Sequence, residues 1–305
     1  MVGATALNPQ QRSLSPERVK KVPKPQTLFT PLAFIVSLIL GLNLCLFFIV
    51  ETSNLTATMS TSLASSRAES PLHIHWAHAV NSQDRLASAL SNGQAIEADI
   101  LLNPQKVPVM AHPPANDSDL TLSEFLTRVE SATCIVKLDF KSYDAFRSAL
   151  PLIAKFDESQ KSRIWINADI LKGSNAPDSA FPAAQFINEA KACGAGKLSV
   201  GWTTSANSTE YSSAMVTEML QLLNPHDDIA ATFPIKASLV RGNWGALKNL
   251  YSNPSFGMTL WLNEPLSDDD LEWLYHTLET SDESLRGRTY YDLQGWNNLV
   301  QRKGW

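Results

Sequence analysis

Residues 97–112 read EADILLNPQKVPVMAH, an apolar strand pattern that carries two carboxylates and closes on a histidine. Extended back to Ala95, the stretch alternates. Ile96, Ala98 and Ile100 share one face, and Ala95, Glu97, Asp99 and Leu101 share the other. Helices packed outside a barrel need the apolar face, so Glu97 and Asp99 are expected to point inward, near the C-terminal mouth where barrels place their chemistry.

Strand parity gives the same result elsewhere. In the first apolar run, Ile74 and Trp76 share the face that ends on His78. In IVKLDFKS, Val136, Leu138 and Phe140 face helices and leave Lys137, Asp139 and Lys141 inward. In RIWINADI, Ile164, Ile166 and Ala168 face out, leaving Trp165, Asn167 and Asp169 inward. One interior thus collects Glu97, Asp99, Asp139 and Asp169 against Lys137 and Lys141, four negative and two positive formal charges. A surplus of buried carboxylates calls for a cation or for raised pKa values. Oxygen ligands without a Cys/His pattern suit Mg²⁺, Ca²⁺ or Mn²⁺ better than zinc. The rival reading pairs the acids with the two lysines and needs no metal.

The pattern predicts eight strands: His73–His78, Ala95–Leu101, Cys134–Phe140, Arg163–Asp169, Lys197–Thr203, Ala231–Val240, Phe256–Leu262 and Arg288–Leu293. Helical signals lie between them, at Asp84–Leu90, Thr121–Val129, Tyr143–Phe156, Ala183–Ala192, Tyr211–Leu223, Trp244–Tyr251 and Asp268–Leu278. Thr121 and Glu124 form a capping-box pattern, and Ser267 introduces the last helix. The alternation predicts an α/β fold, a (β/α)8 TIM barrel. An open doubly wound sheet fits less well, because the first βα turn lacks the Gly-x-Gly-x-x-Gly loop and the 305 residues hold only 13 glycines.

The barrel accounts for residues 71–305. Ahead of it, LFTPLAFIVSLILGLNLCLFFIV, residues 28–50, is uncharged and long enough to cross a hydrocarbon layer of about 30 Å as one helix. A cleaved signal peptide is the alternative, but the apolar run is long for one and starts well inside the chain. Arg12, Arg18, Lys20, Lys21 and Lys24 precede the stretch, and the first basic residue after it is Arg67. A cytoplasmic tail over 1–27 is therefore expected, with the body extracellular or luminal. The sequons at Asn54, Asn116 and Asn207 suit that side. Residues 51–70, rich in Ser and Thr without aromatics, read as a stalk. Cys134 and Cys193 allow one disulfide in an oxidising compartment. A net charge of −5 offers no basic field for nucleic acid.

The order His78, Glu97-x-Asp99, His112, Asp139-x-Lys141 resembles the phospholipase-C-like phosphodiesterase superfamily, which includes glycerophosphodiester phosphodiesterases and spider-venom phospholipase D toxins. More closely, WAHAVNSQDRLASAL, IEADILL, PVMAHPPANDSDLTLSEFL, VKLDFKS, IWINADIL, LSVGWTT, TFPIKASLVR and RTYYDL resemble the menorin family, from Trp76 to Leu293. The superfamily resemblance implies that Glu97, Asp99 and Asp139 bind one Mg²⁺ or Ca²⁺, that Lys141 holds a phosphate oxygen, and that His78 and His112 are general acid and base. The phosphodiesterases usually have arginine after the first histidine and an acid after the second, whereas this chain has Ala79 and Pro113. Lys137 replaces that arginine in charge but not in bidentate geometry. Asn167 and Asp169 are candidate mouth residues, and Trp202 and Trp261 candidate floors for a headgroup or sugar.

Two functions follow. One is a membrane-anchored, metal-dependent phosphodiesterase acting on an extracellular phosphodiester or phospholipid headgroup. The other, implied by the menorin resemblance, is a catalytically inactive barrel that binds a cell-adhesion molecule or receptor ectodomain as a dendrite-patterning cue.

Overall fold

A computed structural model describes residues 70–305 except residue 227. The expected tail, span and stalk lie outside the described residues, apart from Ser70 at the end of the stalk. Among the described residues no helix is long and apolar enough to cross a membrane.

The strands are β1 (Trp76–Ala77), β2 (Ala95–Leu102), β3 (Pro108–Met110), β4 (Val136–Phe140), β5 (Ile164–Leu171), β6 (Lys197–Trp202), β7 (Ala231–Lys236), β8 (Phe256–Leu262) and β9 (Thr289–Leu293). Eight of them run β1-β2-β4-β5-β6-β7-β8-β9, every neighbouring pair parallel. β3 turns back antiparallel on β2. Helices α1 (Gln83–Ser91), α2 (Leu122–Val129), α3 (Tyr143–Ile153), α4 (Glu158–Lys161), α5 (Ala183–Ala192), α6 (Ser213–Leu223), α7 (Val240–Leu247), α8 (Asp268–Tyr275) and α9 (Trp296–Lys303) fill the connections and the C-terminus. Strand order and parallel direction make this a near-closed eight-stranded barrel of the TIM type.

The seam between β1 and β9 is joined by side chains. Trp296 Nε1 donates to the Leu72 carbonyl at 3.1 Å, His78 meets Asp292 at 2.8 Å, and the Trp76 and Tyr290 rings lie 6.4 Å apart, edge to face.

Local chemistry explains the helix starts. Thr121 and Glu124 form the expected reciprocal capping box, and Ser267 accepts from the Asp270 amide, each satisfying amides that the first turn leaves unpaired. Three predicted strands are trimmed by two residues or more. Pro71 opens a 3₁₀ turn over Pro71–His73, so the first strand shrinks to Trp76–Ala77. The third begins at Val136 rather than Cys134. The sixth ends at Lys236, after which Ala237–Leu239 turn and Val240 begins a helix.

The apolar core lies between strands and helices. Ile96, Ala98 and Ile100 of β2, with Val136 and Leu138 of β4, are fully buried on the outer face. Phe146 of α3 packs on Phe186 of α5 at 4.5 Å. Inside the barrel, side chains form levels. Near the strand starts, Trp165 and Tyr290 pack edge to face at 4.7 Å, with Lys197 Nζ donating to the Tyr290 hydroxyl at 3.1 Å. Midway, Ser199 bonds Asn167 at 2.5 Å and Thr232 bonds Thr259 at 2.8 Å. The carboxylates lie above, at the strand ends.

Candidate metal centre and active site

Glu97 and Asp99 are 2 % and 3 % exposed. Their register partners across the β2–β4 pair are Lys137 and Asp139. Parity thus brings Glu97, Asp99 and Asp139 together, with one oxygen from each within 4.8 Å of the others. Three carboxylate oxygens at that spacing fit a hard divalent cation.

Each carboxylate is held from a different direction. Ala79, at a left-handed φ of 51°, points its amide at Glu97 Oε2 at 2.7 Å. That conformation is costly for a residue with a Cβ, and here it aims a donor into the site. Asn81 grips Asp99 twice, Nδ2 donating to Oδ2 at 2.7 Å and Oδ1 accepting from the Asp99 amide at 2.9 Å. Lys141 Nζ bridges Asp99 at 2.7 Å and Asp139 at 2.6 Å.

These surroundings push the acids apart. Burial raises Glu97, the Lys137 charge opposes that, and Asp99 adds to the rise. Burial would raise Asp99 too, but Lys141, by charge and hydrogen bond, and Asn81 hold it low. Burial and the neighbouring Asp139 push Asp169 up to about 7 against the pull of Lys141 and Lys137. Lys141 itself is raised, because Asp139 and Asp99 outweigh its burial.

The two histidines are both held through Nδ1, but by different partners. His78 Nδ1 faces Asp292 Oδ2 at 2.8 Å and Glu97 Oε2 at 3.3 Å. Burial works against its cation, yet the Asp292 hydrogen bond and the Glu97 and Asp292 charges raise its pKa to about 9. A cationic His78 carries a proton on Nε2 as well. His112 follows β3, near enough to Asp99 for its charge to lower that carboxyl. Its Nδ1 lies 2.6 Å from the Pro113 carbonyl. A carbonyl can only accept, so Nδ1 carries a hydrogen, and Nε2 is the nitrogen that offers a lone pair whenever the ring is neutral.

The remaining candidates disperse. Lys137 is buried beneath the acids, its Nζ 5.4 Å from the Trp76 ring centroid. Asn167 is buried midway down the barrel and tied to Ser199, so it does not line the mouth. Trp202 is 2 % exposed and packs on Tyr211 at 5.5 Å. It shares the outward parity of Leu198 and Val200, which makes it core rather than a headgroup floor. Trp261 is half-buried and lines a cavity of about 240 Å³ at the strand ends. Cys134 and Cys193 are both free thiols, so the disulfide allowed by the sequence is not formed.

Two site residues were absent from the sequence reading. Asp292 lies on the inward face of β9, and the alternation of TYYDL carries that signal. Asn81 comes from the loop after β1, where no periodicity marks it.

A human relative, Protein FAM151B, is 34 % identical over 220 residues, covering 68 % of this chain and 79 % of the human protein. Among solved structures, one from Galdieria sulphuraria described as a glycerophosphodiester phosphodiesterase aligns with a TM-score of 0.48 at 10 % identity, covering 75 % of this chain and 96 % of that one. An L-ribulose 3-epimerase aligns at 0.34 and 11 % identity, over 77 % and 84 % of the two chains. Both scores are below 0.5, and the barrel assignment rests on the strand order. The family model of the Menorin N-terminal domain matches residues 71–297. With that match across the whole barrel and the human relative beside it, the chain belongs to the menorin family.

Proposed function

We propose that the barrel is a divalent-metal phosphodiesterase, acting outside the cytoplasm on a phosphodiester or phospholipid headgroup and anchored by the apolar stretch 28–50. The observation that carries this reading is the cluster of Glu97, Asp99 and Asp139 oxygens within 4.8 Å of one another, beside two imidazoles that each engage Nδ1 and leave Nε2 for proton transfer. A pure scaffold has no physical need for buried acids set this close.

The three carboxylates would hold one Mg²⁺ or Ca²⁺, which supplies Lewis-acid stabilisation of charge on phosphate oxygens when bound. Lys141 contacts a non-bridging phosphate oxygen. His112 Nε2, with its lone pair, takes the proton of the attacking hydroxyl. A P–O bond forms to that oxygen as the bond to the leaving oxygen breaks, and His78 gives its Nε2 proton to the leaving oxygen. Attack by a neighbouring hydroxyl of the substrate yields a cyclic phosphodiester and a free alcohol. Asp292 keeps His78 oriented and charged.

Anchoring is supported by the uncharged stretch with its basic N-terminal flank. Exposed Asn116 and Asn207 suit a luminal or extracellular body. The second reading, an inactive barrel that binds a cell-adhesion molecule or receptor ectodomain, is favoured by Lys141, whose ammonium already bridges Asp99 and Asp139.

Phosphorus NMR of glycerophosphodiesters incubated with the protein and Mg²⁺ or Ca²⁺ tests the first reading. It predicts metal-dependent turnover that drops by about 10²–10⁴ in His112→Ala. Turnover unchanged in that variant would remove His112 as the base, and no turnover of any diester would favour the scaffold.

A further inference from the structure

Beside the acid centre, the strand ends form a second feature. Lys236 of β7 pairs in register with Trp261 of β8, and Trp261 pairs with Asp292 of β9. Asp292 in turn holds His78. Lys236, Trp261, Asp292 and His78 therefore follow one another around the rim, and the cavity of about 240 Å³ opens at the first two. All three strand residues have inward parity. The Lys236 face also carries Thr232, bonded to Thr259 of the Trp261 face in the barrel interior.

The lining decides what can enter. Trp261 offers a half-buried indole, and Lys236, Asn263, Glu264, Thr204 and Ser205 surround it. Trimethylammonium groups are recognised by several aromatic faces together. No other aromatic lines this cavity, and the Lys236 ammonium repels a quaternary nitrogen. A ring of vicinal hydroxyls fits better. Its C–H face stacks on one indole, while ammonium and amide donate to its oxygens and carboxylate and hydroxyl groups accept from it.

Resting on the phosphodiesterase reading, we infer that the alcohol esterified to the substrate phosphate is a polyhydroxylated ring, a sugar or inositol, seated on Trp261 with Lys236 beside it. The ring oxygen joined to phosphorus then lies toward Asp292 and His78, the end that supplies the leaving-group proton.

Calorimetric titration of the full chain with Mg²⁺ present tests this, using myo-inositol 1-phosphate, phosphocholine and free myo-inositol as probes. The inositol ester is expected to bind about tenfold more tightly than phosphocholine. Trp261→Ala and Lys236→Ala should each bring that ratio close to one. Two esters of equal affinity, with a ratio the variants do not move, would overturn the inference while leaving the metal centre intact. Asp99→Asn separates the two claims. Loss of ester binding in that variant, with Trp261-dependent binding of free myo-inositol kept, supports the subsite on its own. If free myo-inositol binds through Trp261 but no ester binds even to the unaltered chain, the subsite stands and the phosphodiesterase reading falls. If no probe binds, both fall. Displacement of the soluble ester by a short-chain phosphatidylinositol at lower concentration would mark a lipid headgroup as the source of the ring, and weaker displacement a soluble ester.

Discussion

Asp292 and Glu97 surround one nitrogen of His78, and in the proposed reaction that arrangement makes His78 the acid. A general acid must be protonated, so turnover should fall as pH rises through the His78 pKa of about 9. Asp292→Asn keeps the size but removes the charge, so its alkaline limb should move to lower pH, with turnover down by about 10²-fold. A limb that stays in place would show that Asp292 does not act through His78. Asp169 gives a separate test in metal-free protein. Its carboxyl rises from 3.8 to about 7 on folding, so the folded chain binds that proton more tightly. Its stabilising contribution is complete below pH 3.8 and fades as pH climbs to about 7. Urea denaturation should therefore show wild type losing stability relative to Asp169→Asn across that window and holding a constant difference above it. The acids were legible because period two ties residue type to face at Glu97, Asp99 and Asp139. Asn81 was not, since its direction depends on the left-handed turn at Ala79, which leaves no periodic trace.

Elements show the same division between pattern and local exception. β2, β5 and β8 carry long apolar alternation, and their predicted spans meet the observed ones within two residues. The hairpin strand β3 was missed because three residues are too few to show a period, yet it leads directly to His112. Close strand packing also has a residue cost. A methyl at Gly257 would overlap the Arg288 carbonyl oxygen, which accepts from the Met258 amide at 3.1 Å. The Arg288 guanidinium meanwhile binds the carbonyls of Phe256 and Tyr251 at 2.9 and 3.0 Å, locking the same junction. Gly257→Ala should thus destabilise the barrel by about 1–3 kcal/mol, read as a lower urea midpoint. An unchanged midpoint would mean that β8 and β9 can separate without cost.

At the scale of the whole barrel, the parallel order ends at β1 and β9, and these ends meet through Trp296 with Leu72, Trp76 with Tyr290, and His78 with Asp292. One of the contacts that joins the seam is thus also one that raises the His78 pKa. The alternation of strands and helices made the barrel readable from sequence, whereas seam contacts more than 200 residues apart carry no local signal. The central claim is that Glu97, Asp99 and Asp139 form a metal centre, and calorimetric titration of the full chain with Mg²⁺, Ca²⁺ and Mn²⁺ beside Asp99→Asn tests it most directly. Saturable binding at one site, weakened by about 100-fold or more in the variant, is the predicted result. A folded protein that binds none of the three ions would mean that Lys141 and Lys137 neutralise the acids themselves, and the barrel would then be read as a receptor-binding scaffold.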